Sequence, residues 1–265
     1  MKIQKINYNQ KQGKISFTVR ETNPAFVNLL RRVILENVPT LAIEEVEFKN
    51  NDSILYDEII AHRLGLIPLT TDLKTYNLSN ECKCKGKGCA GCSVTLTLIE
   101  KGPKIVYASS LKSKDPKVKP VFSGTPIVKL LKDQKLQFTA IAVLGQGREH
   151  TKWSPAHVYY KGIPILKINK DKSEVLNTIK SCKEDSIEEI KGTIKLINVS
   201  NKGTDICNSC NAKIGDKIVF KKNNEDFIFF IESWGQLSVK EIVTKATDNI
   251  QERFDKFADN LKKEK

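Results

Sequence analysis

Four thiols stand in one twelve-residue stretch, ECKCKGKGCAGC, as Cys82, Cys84, Cys89 and Cys92. Two closely spaced pairs are what tight turns need to present four sulfurs to one ion. Zinc takes four soft ligands in a tetrahedron, with each sulfur about 2.3 Å from the metal. Gly86, Gly88 and Gly91 permit the positive φ that such turns often use. Lys83, Lys85 and Lys87 offset the double negative charge of a four-thiolate zinc centre. No histidine falls in the stretch, and four thiolates fill the shell, so the expected site is structural rather than catalytic. A redox dithiol would need only Cys89 and Cys92, with a helix after the first; instead VTLTLI follows, alternating as a strand does. A disulfide framework belongs to exported proteins, and the N-terminus MKIQKINYNQ lacks the apolar run of a signal peptide. The expectation is a zinc staple, in a cytoplasmic chain, holding a loop too small for a core of its own.

A second group comprises Cys182, Cys207 and Cys210, the last two in DICNSCNAK. A bacterial ferredoxin-type cluster wants C-x2-C-x2-C-x3-C-P. Thr204 stands where a further cysteine would precede Cys207, and no Cys-Pro occurs. Three thiols could hold a three-iron cluster, or a zinc with one foreign ligand, or be simple free cysteines. An iron–sulfur cluster is not expected, because the ligand set is incomplete.

No catalytic constellation accompanies these groups. His62, His150 and His157 are not paired with a Cys or Ser in any local signature, and no phosphate loop occurs. The GxG of LGQGREHTKWSP is not a dinucleotide fingerprint. Its third glycine position is His150, and Trp153-Ser154-Pro155 blocks a following helix. The net charge of +13 invites a nucleic-acid reading. Only six of the 44 basic residues are Arg, however, and the Lys are spread along the chain. Base and phosphate recognition leans on the planar Arg fork, so a solvated exterior is the better account. No apolar run reaches the length of a membrane span.

The elements that must carry these residues are legible. KISFTV and its flanks predict a hairpin, strands 3–9 and 14–20 about Gln12-Gly13. TNPAFVNLLRRVILENVPT predicts a helix, with Thr22 or Asn23 as cap and Pro24 at the first position. Phe26, Leu29, Leu30, Val33 and Ile34 share its apolar face. Strands are expected at 44–48, in VTLTLIE and at 135–144, with a short helix within 57–69 stopped by Gly65 and Pro68. Residues 103–126, rich in Pro, Lys and Ser, read as a long surface connection. YYKGIPILKI reads as strand, completing a β-rich middle. FIFFIES at 227–233 is a further strand, broken by Gly235. Residues 238–262 predict one long helix, striped by Val239, Ile242, Val243, Ala246, Ile250, Phe254, Phe257 and Leu261. So long an apolar stripe needs a covering surface, and a partner helix is the sharper reading.

Several of these stretches together resemble the α-type subunits of multisubunit RNA polymerases. NPAFVNLLRRVILENVPTLAIEEVEF is similar to their first helix and following strand. YDEIIAHRLGLIPL resembles the next segment of the archaeal and eukaryotic members, and GQGREHTKWSP their Gly-x-Gly-x-x-His-x-Lys-Trp-Ser-Pro motif. FIFFIESWGQL and the last helix resemble their closing strand and helix. The best fit is to the D-type archaeal members. The resemblance implies an α+β fold in which both chain ends, 1–40 and 223–265, build a split dimerisation domain of antiparallel strands and two helices. A mixed, β-rich insert domain with the zinc loop fills 41–165, and a small cysteine-containing, degenerate ferredoxin-like module fills 166–222.

It implies a non-catalytic subunit that pairs with a small α-like partner (L) and forms the platform for the large catalytic subunits, touching DNA only indirectly and no membrane. Phe26, Leu30, Val33 and Ile34 would belong to the dimer contact, with Ile242, Ile250, Phe254 and Phe257 from the last helix. Arg31 and Arg32 match the family's Arg pair, which would face a large subunit. The cysteine loop resembles the zinc loop of eukaryotic relatives, with one extra residue in its middle gap. The alternative reading is a free-standing zinc-knuckle nucleic-acid-binding protein.

Overall fold

In a computed structural model of the chain, residues 1–163, 165–168, 177, 187–190, 193–196, 218–221 and 223–263 are described. The first helix begins where its side chains dictate. Asn23 Oδ1 accepts a hydrogen bond from Phe26 N–H at 2.9 Å, satisfying one free donor of the first turn. Pro24, with no N–H to lose, takes the first helical position, and α1 runs Pro24–Asn37. Two strands precede it, β1 (Lys2–Asn9) and β2 (Lys14–Arg20). They form a hairpin whose turn closes with Gly13 N–H on Gln10 O and needs Gly13 at φ 63°.

After α1 come β3 (Thr40–Asn51), α2 (Asp57–Gly65), β4 (Ser93–Lys101), β5 (Lys104–Tyr107), β6 (Lys112–Ser113), β7 (Pro126–Leu130) and β8 (Lys135–Gly145). Then follow β9 (Ala156–Gly162), β10 (Ile165–Ile168), β11 (Ile187–Ile190), β12 (Thr193–Leu196), β13 (Ile218–Lys221), β14 (Phe227–Ser233) and α3 (Val239–Lys263). The class is α+β, with mostly antiparallel pairing and few helices. No described helix is long and apolar enough to cross a membrane.

The chain divides into two compact units. One takes residues 1–8, 15–29 and 159–230; the other takes 9–14, 30–158 and 231–265. In the first, Phe17 stacks on Phe229 with ring centroids 5.3 Å apart, and Tyr159 on Phe230 at 4.7 Å. Ile163 N–H donates to Asp226 O, and Glu21 N–H to Asp226 Oδ1. Strands β11, β12, β10 and β13 form a separate antiparallel sheet in that order. Cys182, Cys207 and Cys210 lie outside the described residues.

The second unit is built on the sheet β3-β8-β4-β6. Strand β8 is central, pairing antiparallel with β3 (Leu41↔Leu144) and with β4 (Leu96↔Ala140). Alternation puts Val94, Leu96 and Leu98 of β4, and Phe138, Ala140 and Ala142 of β8, on one buried face. Ile60 and Leu64 of α2 cover it.

Two expectations need correction. Residues 103–126 are not a surface connection. They hold β5, which pairs with β7, and β6, which pairs with β4, and they bury Val106, Ala108, Leu111 and Val118. Ile105–Ala108 form a short apolar run set in a Lys-, Ser- and Pro-rich stretch, and long-range pairing with β7 and β4 places the strands. YYKGIPILKI is two strands rather than one. Strand β9 joins the sheet β1-β2-β14-β9, while β10 joins the sheet of β11–β13.

GQGREHTKWSP is a packing clasp within the second unit. A Cβ on Gly145 would lie 2.4 Å from the Trp153 ring, and one on Gly147 would lie 1.9 Å from Leu35 O. These two glycines are therefore clearances for an indole and for a helix backbone. Arg148 N–H donates to Glu36 O, and Gln146 Nε2 and Asn249 Nδ2 both donate to Asn37 O. The carbonyls left free at the end of α1 thus find donors far along the chain. Trp153 Nε1 donates to Val143 O, and Lys152 bridges Ile43 O and the Glu44 carboxylate.

Candidate metal centre

The stretch 81–92 has almost no apolar content besides its cysteines, so its shape comes from turns. Lys85 N–H donates to Cys82 O and Lys87 N–H to Cys84 O; Cys92 and Ser93 N–H both donate to Cys89 O. These are two knuckles, one around each cysteine pair. Gly86 and Gly88 sit at φ 81° and 78°, as such turns require. Gly91 does not take positive φ, whereas Lys85 does at 54°, a left-handed residue that composition alone does not mark.

The knuckles converge the four sulfurs. All Sγ atoms lie within 4.8 Å of one another. Cys82–Cys89 and Cys84–Cys92 are each 3.5 Å apart, and Cys89–Cys92 3.9 Å. A tetrahedron with bonds of about 2.3 Å has sulfur–sulfur edges of about 3.8 Å, so the arrangement fits one ion. It does not fit disulfides, whose bond is about 2.05 Å, and all four are free thiols. Cys89 N–H donates to Cys92 Sγ at 3.3 Å, a contact that favours a thiolate. Cys82 and Cys92 are buried; Cys84 and Cys89 are half-buried.

The thiols already share charge unequally. Burial pushes the Cys92 thiol up to about 12. Burial also raises Cys84, but hydrogen bonds from Cys92, Cys82 and the Cys89 N–H outweigh it and bring it down to about 6. The Cys84 N–H pulls Cys82 down, yet its sulfur neighbours Cys89 and Cys84 leave it above the ordinary value. One thiolate held by neighbouring thiols is what four close sulfurs adopt with protons alone; a divalent cation takes the place of those protons.

The loop is anchored by residues that sequence reading missed. Asn77 N–H donates to Gly91 O at 2.9 Å. Just before it, Tyr76 donates to Asp115 Oδ2 at 2.7 Å. Asp72 accepts from Lys74 N–H, the Thr75 hydroxyl and Lys117. No local signal could reveal this, because Tyr76 and Asp115 are 39 residues apart.

The other candidate residues are dispersed. Leu30, Val33 and Ile34 of α1 and Ile242 of α3 are buried inside this chain, while Phe26 and Ile250 are half-buried. Phe254 and Phe257 are 60% and 63% exposed, and Leu261 is 53% exposed. Arg32 makes a two-pronged pair with Glu36 on the surface of α1, and Arg31 is half-buried beside it. His150 serves structure: its Nδ1 accepts from Lys152 N–H, and its ring meets Trp153 edge-on.

A β-rich sheet with a metal-ready cysteine loop defines a class. Residues 45–158 match the family model described as the RNA polymerase Rpb3/RpoA insert domain. The likeness extends well beyond that domain. DNA-directed RNA polymerase subunit Rpo3 of Pyrococcus furiosus is 39% identical over 254 residues, covering 96% of this chain and 95% of that one. Rpo3 of Methanosphaera stadtmanae is 36% identical over 94% of each chain, and that of Methanopyrus kandleri 36% over 95% and 92%. The chain belongs to the Rpo3 family, the archaeal α-type subunits of DNA-directed RNA polymerase.

Proposed function

We propose that this chain is the non-catalytic assembly platform of an archaeal-type DNA-directed RNA polymerase, in the place of the D-type subunit, in the cytoplasm. It pairs with a small α-like subunit (L), and the pair receives the two large catalytic subunits. Residues 1–40 and 223–265 form the split dimerisation domain, 41–165 the insert domain, and 166–222 a small third module. The observation that carries this reading, beside end-to-end family membership, is the far end of α3. Residues 251–263 are all exposed, a length of about 20 Å, yet Phe254, Phe257 and Leu261 continue the stripe that Ile242 and Ala246 bury upstream. A helix of this kind is stable when another surface covers it.

In this reading Phe254 and Phe257 lead the dimer contact, with Phe26 and Ile250 at its margin. The buried Leu30, Val33, Ile34 and Ile242 support it from beneath. Arg31 and Arg32 face a large subunit. Cys82, Cys84, Cys89 and Cys92 hold structural zinc, which closes the loop and takes no part in nucleotide chemistry. DNA is met only indirectly.

The test is affinity purification of the tagged chain from its native cells, with mass spectrometry and an RNA-synthesis assay. Co-elution with one small and two very large subunits, and RNA synthesis, is expected. Phe254→Asp/Phe257→Asp should lose the small partner while the isolated chain melts unchanged. Elution of the wild-type chain alone, or with nucleic acid and no large partner, would sink the reading.

A further inference from the structure

Beside the root of the metal loop, a cleft of about 300 Å³ opens between residues 73–81, the end of β8 and α3. Its apolar lining includes Leu73, Leu78 and Leu144. Its charged lining is uneven: Arg148, Lys245, Arg253 and Lys256 stand against two carboxylates, Glu81 and Glu252. Lys245 leans toward Glu252 at 3.9 Å, and Arg253 acts on Glu36 only through the longer-range field. The side chains of Arg148 and Lys256 have no hydrogen bond or ion pair among the described residues. Gln146 also lines the cleft; its Nε2 is taken by Asn37 O, and its buried Oε1 is without a partner among the described residues. Two chain segments, distant in sequence, thus bring an excess of cations to a mainly polar cleft in which Leu73, Leu78 and Leu144 supply the apolar part.

We propose that this cleft receives an acidic peptide segment of the protein that covers the α3 stripe, a reading that rests on the assembly role proposed above. Charge complementarity selects the occupant. Carboxylates would neutralise Arg148, Arg253 and Lys256, with Arg able to grip them two-pronged. Apolar side chains beside those carboxylates match the leucines of the lining, which a sugar-phosphate backbone would leave unused. The volume sits at the bottom of the range for ligand pockets, about 300–1,000 Å³, suited to a few side chains. Continuity supplies the partner. Arg253 and Lys256 alternate along α3 with Phe254 and Phe257, so a protein seated on the stripe lies beside the cleft.

The experiment compares the full-length wild-type chain with Arg148→Glu/Arg253→Glu, measuring affinity for the small α-like subunit across a salt series. At least tenfold weaker binding by the variant, with a flatter salt dependence, is expected, while Arg148→Lys/Arg253→Lys retains most of the affinity. Equal binding by wild type and the Glu variant overturns the proposal. Failure of the wild type itself to bind the small subunit counts against the assembly role instead, and the cleft is then judged by a probe peptide, acetyl-Glu-Leu-Glu-Glu-Leu-Glu-amide, titrated onto both chains by fluorescence. Tighter binding of the peptide to wild type supports an acidic-peptide cleft. Equal binding to both chains, displacement by an equal concentration of inorganic phosphate, or preference for a single-stranded oligonucleotide overturns it.

Discussion

Two stretches of the insert domain hold distant parts of the chain together by opposite means. The clasp at 145–155 works by packing: Trp153 lies against Gly145, Gly147 lies under Leu35 O, and backbone donors meet the end of α1. The cysteine loop has no such interior. Between Glu81 and Cys92 its only buried residues are Cys82 and Cys92 themselves, and its order comes from turns, a few anchoring hydrogen bonds and four converging sulfurs. A close-packed clasp is part of the core and fails with it. A metal-closed loop is an appendage whose binding energy is spent locally, even where zinc contributes about 10–16 kcal/mol in small structural sites.

That contrast is most sharply broken at Gly147. Gly147→Ala forces a carbon against the α1 backbone, and the cost should be about 3 kcal/mol or more, with a matching fall in the main denaturant midpoint. An unchanged midpoint would mean the clasp is not part of the cooperative core. Next in size is metal removal. Chelation, or Cys84→Ser, should abolish metal binding and expose the amides of residues 77–93 to hydrogen exchange, while the main melt moves by only a few degrees. Loss of the whole cooperative melt would show instead that the loop belongs to the core.

A smaller effect is expected at Tyr76. Tyr76→Phe removes one hydrogen bond to Asp115, worth about 1 kcal/mol. Extraction of the metal by a chelator should speed up about fivefold, with little change in the melt. An unchanged extraction rate would show that the loop does not depend on this anchor.

The smallest effect is electrostatic. The Lys74 N–H, then Lys117, then the Thr75 hydroxyl hold the Asp72 carboxyl down at about 2. A depressed carboxyl stabilises the fold in full above its ordinary value, near pH 4, and that contribution disappears as pH falls through 2. Asp72→Asn should therefore flatten the acid limb of the melting curve between pH 4 and 2 and leave the melt's slope near pH 7 unaltered. A parallel acid limb in both chains would remove Asp72 from the account. Asp72 is partly exposed, so solvent keeps this term modest.

Much of this was legible in the chain because the signals are local. Asn23-Pro24 marks the start of α1 through the chemistry of its first turn. The helix at 238–262 is reported by its stripe; the reciprocal cap of Ser238 and Glu241 that starts it was visible only in the structure. Alternation in VTLTLI and KLQFTAIAVL reports β4 and β8 and their buried face. The spacing of the four cysteines, with Gly86 and Gly88, reports the two knuckles. Other features carry no local mark. Tyr76–Asp115 and Leu69 beside Pro120 join residues far apart, and the short apolar run Ile105–Ala108 is surrounded by Lys, Ser and Pro.

The sequence by itself determined the period of each element, the clustering of the four thiols of residues 82–92 and the apolar stripe of α3, because each depends on residues a few positions apart. Only the tertiary structure decided which part of that stripe is covered. Ile242 and Ala246 are sealed inside the chain while Phe254 and Phe257 stand in solvent. A hydrophobic period says that a face must be buried; it cannot say by whom, since burial is settled by surfaces brought together from across the whole chain. The same holds for the cleft beside the metal loop, where Arg148 and Arg253, over a hundred residues apart in the chain, line one cavity.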